Sequence, residues 1–126
     1  MKTVNIGKIG ESAAAKFLKK NHYRVLEMNV HLSHNEIDIV AKDKNHIIFV
    51  EVKTRSTDND LYSYFGSPAS AVTFGKQKRT VEAARQYLKN SSHNHLQPRF
   101  DVIEVYLDRA NNKVLHINHI VNAFGA

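Results

Sequence analysis

The fold is decided by the stretch Ile47-Ile48-Phe49-Val50-Glu51-Val52-Lys53-Thr54-Arg55, which combines a packed strand with charged side chains. Its β-branched and aromatic residues are typical of a buried, pleated strand. Because side chains alternate across a strand, Glu51 and Lys53 share one face with Phe49. An ionised side chain in apolar surroundings is costly unless something compensates its charge. We therefore expect a partner, a metal ion or a solvated cleft beside these two residues.

A second strand is predicted directly upstream, over residues 35–42. The polar residues 43–46 that separate the two strands have the composition of a turn. A hairpin that closes symmetrically around Lys44 and Asn45 places Asp38 opposite Glu51. A three-residue loop with a bulge would instead shift the pairing by one residue and separate the two carboxylates.

The symmetric register also gathers four charged side chains on one face of the sheet, namely Glu36, Asp38, Glu51 and Lys53. Directly opposed side chains have Cβ atoms roughly 4.5–5.5 Å apart, and like charges repel at that distance. Two facing carboxylates offer the oxygen ligands that Mg²⁺ or Mn²⁺ prefers. The alternative is an ordinary network of cross-strand ion pairs on a solvated face. Clustered titratable groups beside apolar residues favour the metal site.

The pattern of an aspartate followed 13 residues later by Glu-x-Lys in a strand resembles the PD-(D/E)xK nuclease superfamily. More narrowly, the chain is similar to the YraN-like bacterial family, which is related to archaeal Holliday-junction resolvases. The matching segments follow one another over nearly the whole chain. They are Gly7–Glu11 with Ala14 and Leu18, Glu36–Val40, Phe49–Arg55, Gly66–Pro68 with Ala71–Thr73, Lys76–Arg79, Arg99–Val102 and Asn122–Phe124.

The resemblance implies a restriction-endonuclease-like α/β fold, with a central mixed β-sheet of about five strands flanked by helices in an αβββαβ core. It also implies a metal-dependent endonuclease that hydrolyses DNA phosphodiester bonds with Mg²⁺ or Mn²⁺. By this resemblance the metal ligands are Asp38, Glu51, Glu11 and the Val52 carbonyl, and the catalytic residues are Asp38, Glu51, Lys53 and Glu11. Glu36 is then a secondary residue that pairs with Lys53 or supports the metal from outside its ligand sphere. Without the resemblance, Glu11 would be interpreted as a first-turn glutamate favoured by the helix dipole.

Length and composition favour one globular domain, residues 1–126, with polyanionic partners. The 126 residues include 18 Lys and Arg against 12 Asp and Glu, which gives a formal net charge of +6. This balance favours nucleic acid, and by the resemblance DNA, as the partner. The absence of cysteine excludes disulfides and cysteine-based zinc sites. No apolar run is long enough to span a membrane and the first residues lack a secretory signal, so we expect a cytoplasmic protein.

The remaining pattern supplies a scaffold around the hairpin. Helices are predicted over residues 6–20 and from a Thr73 cap to about 89, and further strands over 23–32, 99–107 and 114–120. Residues 56–67 are predicted to form a flexible loop beside the site. The long helix is expected to bury one apolar stripe, formed by Phe74, Val81, Ala84 and Leu88. Asp101, at the start of the fourth strand, is expected to make a structural hydrogen bond.

Basic side chains are predicted to bind nucleic-acid phosphates along the exposed side of the long helix. They are Lys76, Lys78, Arg79 and Arg85, with Arg55 at the end of the third strand. The alternative is a solvated face with local ion pairs. Two functions therefore remain. The first is the endonuclease, and the second is a nucleic-acid-binding module that keeps the fold but has little or no cleavage activity. A homodimer is compatible with the endonuclease, because resolvase-like relatives cut two strands.

Overall fold

Two helices and five strands make up the regular structure of the computed structural model, which describes residues 4–58 and 72–125. In chain order they are α1 (Ile6–Lys20), β1 (Arg24–Leu32), β2 (Asn35–Lys42), β3 (His46–Thr57), α2 (Phe74–Lys89), β4 (Gln97–Asp108) and β5 (Val114–Phe124). Neither helix in these ranges is long and apolar enough to cross a membrane.

The strands form one mixed sheet in the order β1-β2-β3-β4-β5. β3 and β4 are parallel, whereas the other neighbouring pairs are antiparallel. Parallel neighbours need a crossover connection, and α2 lies in the connection between β3 and β4. The predicted α/β fold with a mixed five-stranded sheet is confirmed, and it is consistent with a restriction-endonuclease-like core.

The β2–β3 hairpin closes in the predicted register over four backbone pairs, from Lys42–Ile47 to Ile39–Val50. The turn is held by Asp43, whose Oδ1 accepts the backbone N–H of Asn45 at 2.8 Å and of His46 at 2.7 Å. Asp side chains commonly bond to the backbone in this way, which fixes the turn without a bulge.

The two helices cover opposite faces of the sheet. Alternation along β3 sends Ile48 and Val50 toward α1 and sends Ile47 and Phe49 toward α2. α1 begins after the cap residue Asn5 and ends at Asn21. It buries a stripe of small and apolar side chains, made of Gly10, Ala14, Ala15 and Leu18.

The predicted burial of Phe74 is wrong. This side chain is 70% exposed and is not part of the core on the α2 face. The buried stripe of α2 begins only at Thr80 and continues through Ala83 and Ala84. Phe74 points roughly 80–180° away from these three residues around the helix, so its side chain faces solvent while the buried stripe faces the sheet.

Several boundaries differ from the predicted ones. β3 continues through Ser56 and Thr57, which were assigned to the flexible loop at 56–67. The rest of that loop from residue 59 onward lies outside the described residues. β5 runs to Phe124 rather than residue 120, because Phe124 pairs with Phe100 and the two rings stack at 5.3 Å.

Candidate functional site

The regular alternation of β2 breaks at Asp38. Ile37 packs in the core beside α2, whereas Ile39 packs in the core beside α1, so residues two positions apart lie on opposite faces. On the neighbouring strand Asn29, which lies opposite Asp38 in the register, has a positive φ of 53°. Asn tolerates this left-handed conformation better than most residues. Both strands are therefore irregular at this point.

The carboxylate of Asp38 accepts a hydrogen bond from the backbone of β3. Its Oδ2 accepts the N–H of Val52 at 2.8 Å. The backbone pairing of the hairpin ends just before this point, at Ile39–Val50. The predicted ladder pair between Asp38 and Glu51 is thus replaced by a bond from the Asp38 side chain to the residue that follows Glu51.

Burial and two nearby carboxylates act on Asp38. Burial raises the pKa of Asp38 from 3.8 to about 6, with smaller upward contributions from the negative charges of Glu51 and Glu11. The Val52 hydrogen bond and the charge of Lys76 act in the opposite direction. Glu11 comes from α1 and Glu51 from β3, so the charges of two acids from separate segments act on Asp38.

Glu51 has a cationic partner that the sequence interpretation had assigned to phosphate binding. Lys76 Nζ, in the first turn of α2, lies 3.8 Å from Glu51 Oε2. Both side chains are half-buried. A partly shielded ion pair is stronger than one in open solvent, so Lys76 compensates part of the negative charge of the site.

Glu11 reaches the site because α1 packs very closely against β3. A Cβ atom at Gly10 would overlap the side chain of Thr54. Glu11 is the next residue, and its Oε1 is buried with no hydrogen-bond partner among the described residues. Its nearest described cation is Lys8, with Nζ 3.9 Å from the same oxygen. A buried carboxylate oxygen without a donor is costly, which fits a position where a cation binds.

The chemistry of these donors fits a divalent cation, but the three acids are not yet arranged as its ligands. Oxygen donors from carboxylates suit Mg²⁺ and Mn²⁺. Within residues 4–58 and 72–125, however, no three His, Asp or Glu side chains are spaced to hold a metal ion. One Asp38 oxygen is engaged with Val52, and Glu51 faces Lys76. Binding would therefore require these side chains to change their present partners.

Lys53 lies on β3 on the same face as Phe49 and Glu51 and is half-buried. The structure does not bring Glu36 to it. Glu36 is exposed at a position of β2 opposite His31 of β1, and it forms no ion pair with Lys53. The reason is the irregularity at Asp38, beyond which the hairpin register does not continue to Glu36.

The sequence interpretation missed Glu104, a fully buried carboxylate on β4. In the parallel register Glu104 is paired with Lys53. Its Oε1 accepts hydrogen bonds from the Tyr106 hydroxyl at 3.1 Å and the Asn118 amide at 3.2 Å. Arg55 Nε lies 3.7 Å from Oε2. The signal was available, because Glu104 interrupts a β-branched run just as Glu51 does.

The predicted phosphate-binding residues therefore fall into two groups. Arg55 and Lys76 face buried or half-buried carboxylates. The other three, Lys78, Arg79 and Arg85, are exposed on α2. Arg85 makes a solvent-exposed pair with Glu82 at 3.7 Å, and pairs of this kind contribute little.

Asp101 has the structural role that was expected. Arg99 donates to its two carboxylate oxygens at 2.9 and 2.8 Å, and the backbone N–H of Asn122 donates at 2.9 Å. His119 Nε2 lies 2.8 Å from Oδ2. These contacts join the start of β4 to the end of β5 and lower the pKa of Asp101, although burial alone would raise it.

Comparison with known proteins gives the family. A family model described as "Uncharacterised protein family UPF0102" matches residues 10–105, which include all three acids and Lys53. The chain belongs to the UPF0102 family. It is 46% identical over 127 residues to UPF0102 protein TTE1452 of Caldanaerobacter subterraneus subsp. tengcongensis, covering 98% of this chain and 100% of the relative.

A UPF0102 protein of Clostridium botulinum strain Loch Maree is 45% identical over 122 residues, covering 95% of this chain and 94% of the relative. A second UPF0102 protein, from Clostridium botulinum strain Hall, has the same identity and coverage. These comparisons confirm the YraN-like resemblance at the level of the family.

Proposed function

We propose that this UPF0102 protein is a divalent-metal-dependent endonuclease that hydrolyses DNA phosphodiester bonds, including those of branched repair or recombination intermediates. The observation that carries the proposal is the buried carboxylate of Asp38, whose pKa burial raises to about 6, with the negative charges of Glu51 and Glu11 acting in the same direction. A buried carboxylate with a raised pKa, near other acids and a lysine, is typical of catalytic sites. The restriction-endonuclease-like topology and the net charge of +6 support the same reading.

In this proposal Asp38, Glu51, Glu11 and the Val52 carbonyl hold Mg²⁺ or Mn²⁺. When bound, such an ion polarises a phosphoryl oxygen and lowers the pKa of a bound water. Lys53 stands two residues after Glu51 and holds the scissile phosphate or the attacking water by charge and hydrogen bonding. With Glu51 serving as a metal ligand, Lys76, now its partner at 3.8 Å, would be free to contact a neighbouring phosphate. Glu36 is exposed and takes no part.

A second function has its own supporting observation. The described residues contain no ready group of three metal ligands, and Lys76 already compensates Glu51. A nucleic-acid-binding module that keeps the fold and the basic side chains, with little or no cleavage, would show these two features.

Cleavage assays separate the two functions. Branched, single-stranded and duplex DNA are incubated with the protein and Mg²⁺ or Mn²⁺, and nicked products are resolved on denaturing gels. The endonuclease predicts products that require the metal and disappear in Glu51→Gln and Lys53→Met. Glu36→Gln is the matched control, because it removes an exposed carboxylate of β2 outside the site. DNA binding without any product that depends on Glu51 would favour the binding module.

Oligomeric state and cellular location stay predictions. A homodimer would allow two strands to be cut together, and light scattering during gel filtration measures this directly. Cytoplasmic location is expected for a protein that acts on chromosomal DNA, and cell fractionation with a tagged chain tests it.

A further inference from the structure

The aromatic ring of Phe74 is the most exposed large apolar side chain among the described residues. It is 70% exposed, whereas Val4, the next, is 56% exposed. The ammonium group of Lys78 lies 4.9 Å from the centre of the ring. This cation–π contact covers only part of the ring. A large exposed ring beside a lysine, on the surface of a basic protein, is complementary to a ligand that has both a flat apolar face and negative charge.

Phe74 borders a groove that runs along α2 and also contacts Gly125, just after β5. The groove has a volume of about 400 Å³ and is lined by Phe74, Lys78, Val81, Glu82 and Arg85, among others. We call it the α2 groove. Its apolar floor is flanked by two exposed cations, Lys78 and Arg85, about two turns apart along the helix. Glu82 is its one acidic lining residue and is paired with Arg85.

The α2 groove begins at the N-terminal end of α2, to which Lys76 also belongs. Lys76, two residues after Phe74, reaches Glu51 with its Nζ at 3.8 Å. Side chains two positions apart on a helix point roughly 200° apart, so the ring of Phe74 and the Lys76 side chain lie on different sides of α2. The groove is therefore a contact surface of its own beside the candidate site.

We propose that the α2 groove binds an unpaired nucleotide, with its base stacked on Phe74 and the flanking phosphates contacted by Lys78 and Arg85. Aromatic rings beside cations are the usual platform for single-stranded nucleic acid, because every base has a π-face. Bases inside a duplex are already stacked on their neighbours and offer no free face. This inference rests on the proposed nucleic-acid function and narrows its substrate to strands with an unpaired segment, such as flaps, gaps or branch points.

The test measures binding without cleavage. Fluorescence anisotropy in EDTA gives the Kd for a labelled oligo-dT and for a random-sequence duplex of equal length. Phe74→Leu, which removes the ring but keeps an apolar side chain, is expected to raise the single-strand Kd about 5- to 100-fold and the duplex Kd less than about 2-fold. Phe74→Tyr keeps a ring and is expected to bind like the wild type.

Two controls make the result specific. Val114→Ala shortens another exposed apolar side chain, on β5 and outside the groove, and should change neither Kd. An unchanged melting temperature for Phe74→Leu is expected, because the ring is outside the core. Sedimentation equilibrium of wild type and Phe74→Leu detects the competing occupant, a second copy of the chain.

An unchanged single-strand Kd in Phe74→Leu, an equal loss on both ligands, or a loss also in Phe74→Tyr would overturn the inference. So would a wild-type dimer that Phe74→Leu dissociates while single-strand binding persists. Because the assay contains no metal, its outcome is independent of cleavage. If Phe74→Leu selectively loses single-strand binding but the wild type shows no nicking, the groove proposal stands and the nuclease proposal fails.

Discussion

Asp38 gives the clearest single-residue prediction, because its charge opposes folding. Its pKa in the folded protein is about 6 against 3.8 unperturbed, so the folded state binds the proton more tightly. The free energy of unfolding should therefore fall as pH rises from about 4 to 6 and stay lower above that range. Asp38→Asn removes the charge, and its amide oxygen can still accept the Val52 N–H. We expect a gain of up to about 3 kcal/mol at pH 7, with little change below pH 4.

Urea denaturation between pH 4 and 7 measures this gain. Glu36→Gln is the control, and an exposed substitution of this kind should stay within about 0.5 kcal/mol of the wild type at each pH. A loss of stability in Asp38→Asn at pH 7 would contradict this. It would mean that the hydrogen bond from Val52 to the ionised carboxylate stabilises the folded protein by more than burial of the charge destabilises it.

Arg55 is predicted to stabilise the fold by compensating the negative charge of the buried Glu104. Removing the guanidinium leaves a fully buried carboxylate beside only two neutral donors. Arg55→Ala should therefore lower the free energy of unfolding by about 1–3 kcal/mol. Arg85→Ala breaks a solvent-exposed pair and should cost less than about 1 kcal/mol. Equal effects of the two changes, measured by urea denaturation, would contradict a compensating role for Arg55.

The contact between α1 and β3 depends on the small size of Gly10. Ala is the better helix former by about 1 kcal/mol, yet its Cβ would overlap Thr54. Gly10→Ala should therefore destabilise the protein and move Glu11 away from Asp38. Thr54→Ala removes the overlapping side-chain atoms, so the double variant should recover part of the loss. A thermal-denaturation double-mutant cycle measures this coupling, and additive effects would show that the contact is not tight.

The helices and strands differ in how far their details were predictable. Both helices begin at ordinary N-cap residues, Asn5 and Thr73, and α1 ends at the C-cap Asn21. These boundaries follow from local sequence. The hairpin register follows from the turn at Asp43. The irregularity at Asp38 was not predictable from residue spacing. It accompanies a hydrogen bond in which the Asp38 side chain on β2, instead of a backbone carbonyl, accepts the Val52 N–H of β3. The exposure of Phe74 was also missed, since small residues such as Ala83 and Ala84, and not the large apolar ones, mark the buried side of α2.

Across the chain, the candidate site depends on contacts between distant segments. Sequence patterns identified Asp38 and Glu51, and the family resemblance added Glu11 to them. Their partners could not be read from spacing, because Lys76 meets Glu51 only after the crossover through α2. Glu104 meets Arg55 only through the parallel pairing of β3 with β4. The same parallel pairing places Glu104 beside Lys53, so the buried acid can influence both cations of β3.

The distribution of positive charge, and not its total, should decide nucleic-acid binding. Lys78, Arg79 and Arg85 are exposed on α2, whereas Lys16, Lys19 and Lys20 are exposed on α1 on the opposite side of the sheet. Changing either set to Gln lowers the formal net charge from +6 to +3. Each phosphate contact contributes a slope of about −0.9 to the plot of log Kobs against log salt on duplex DNA. The α2 variant should therefore lose affinity and up to about 3 units of slope, while the α1 variant keeps both. Equal losses in anisotropy titrations of the two variants would show that net charge alone attracts the DNA.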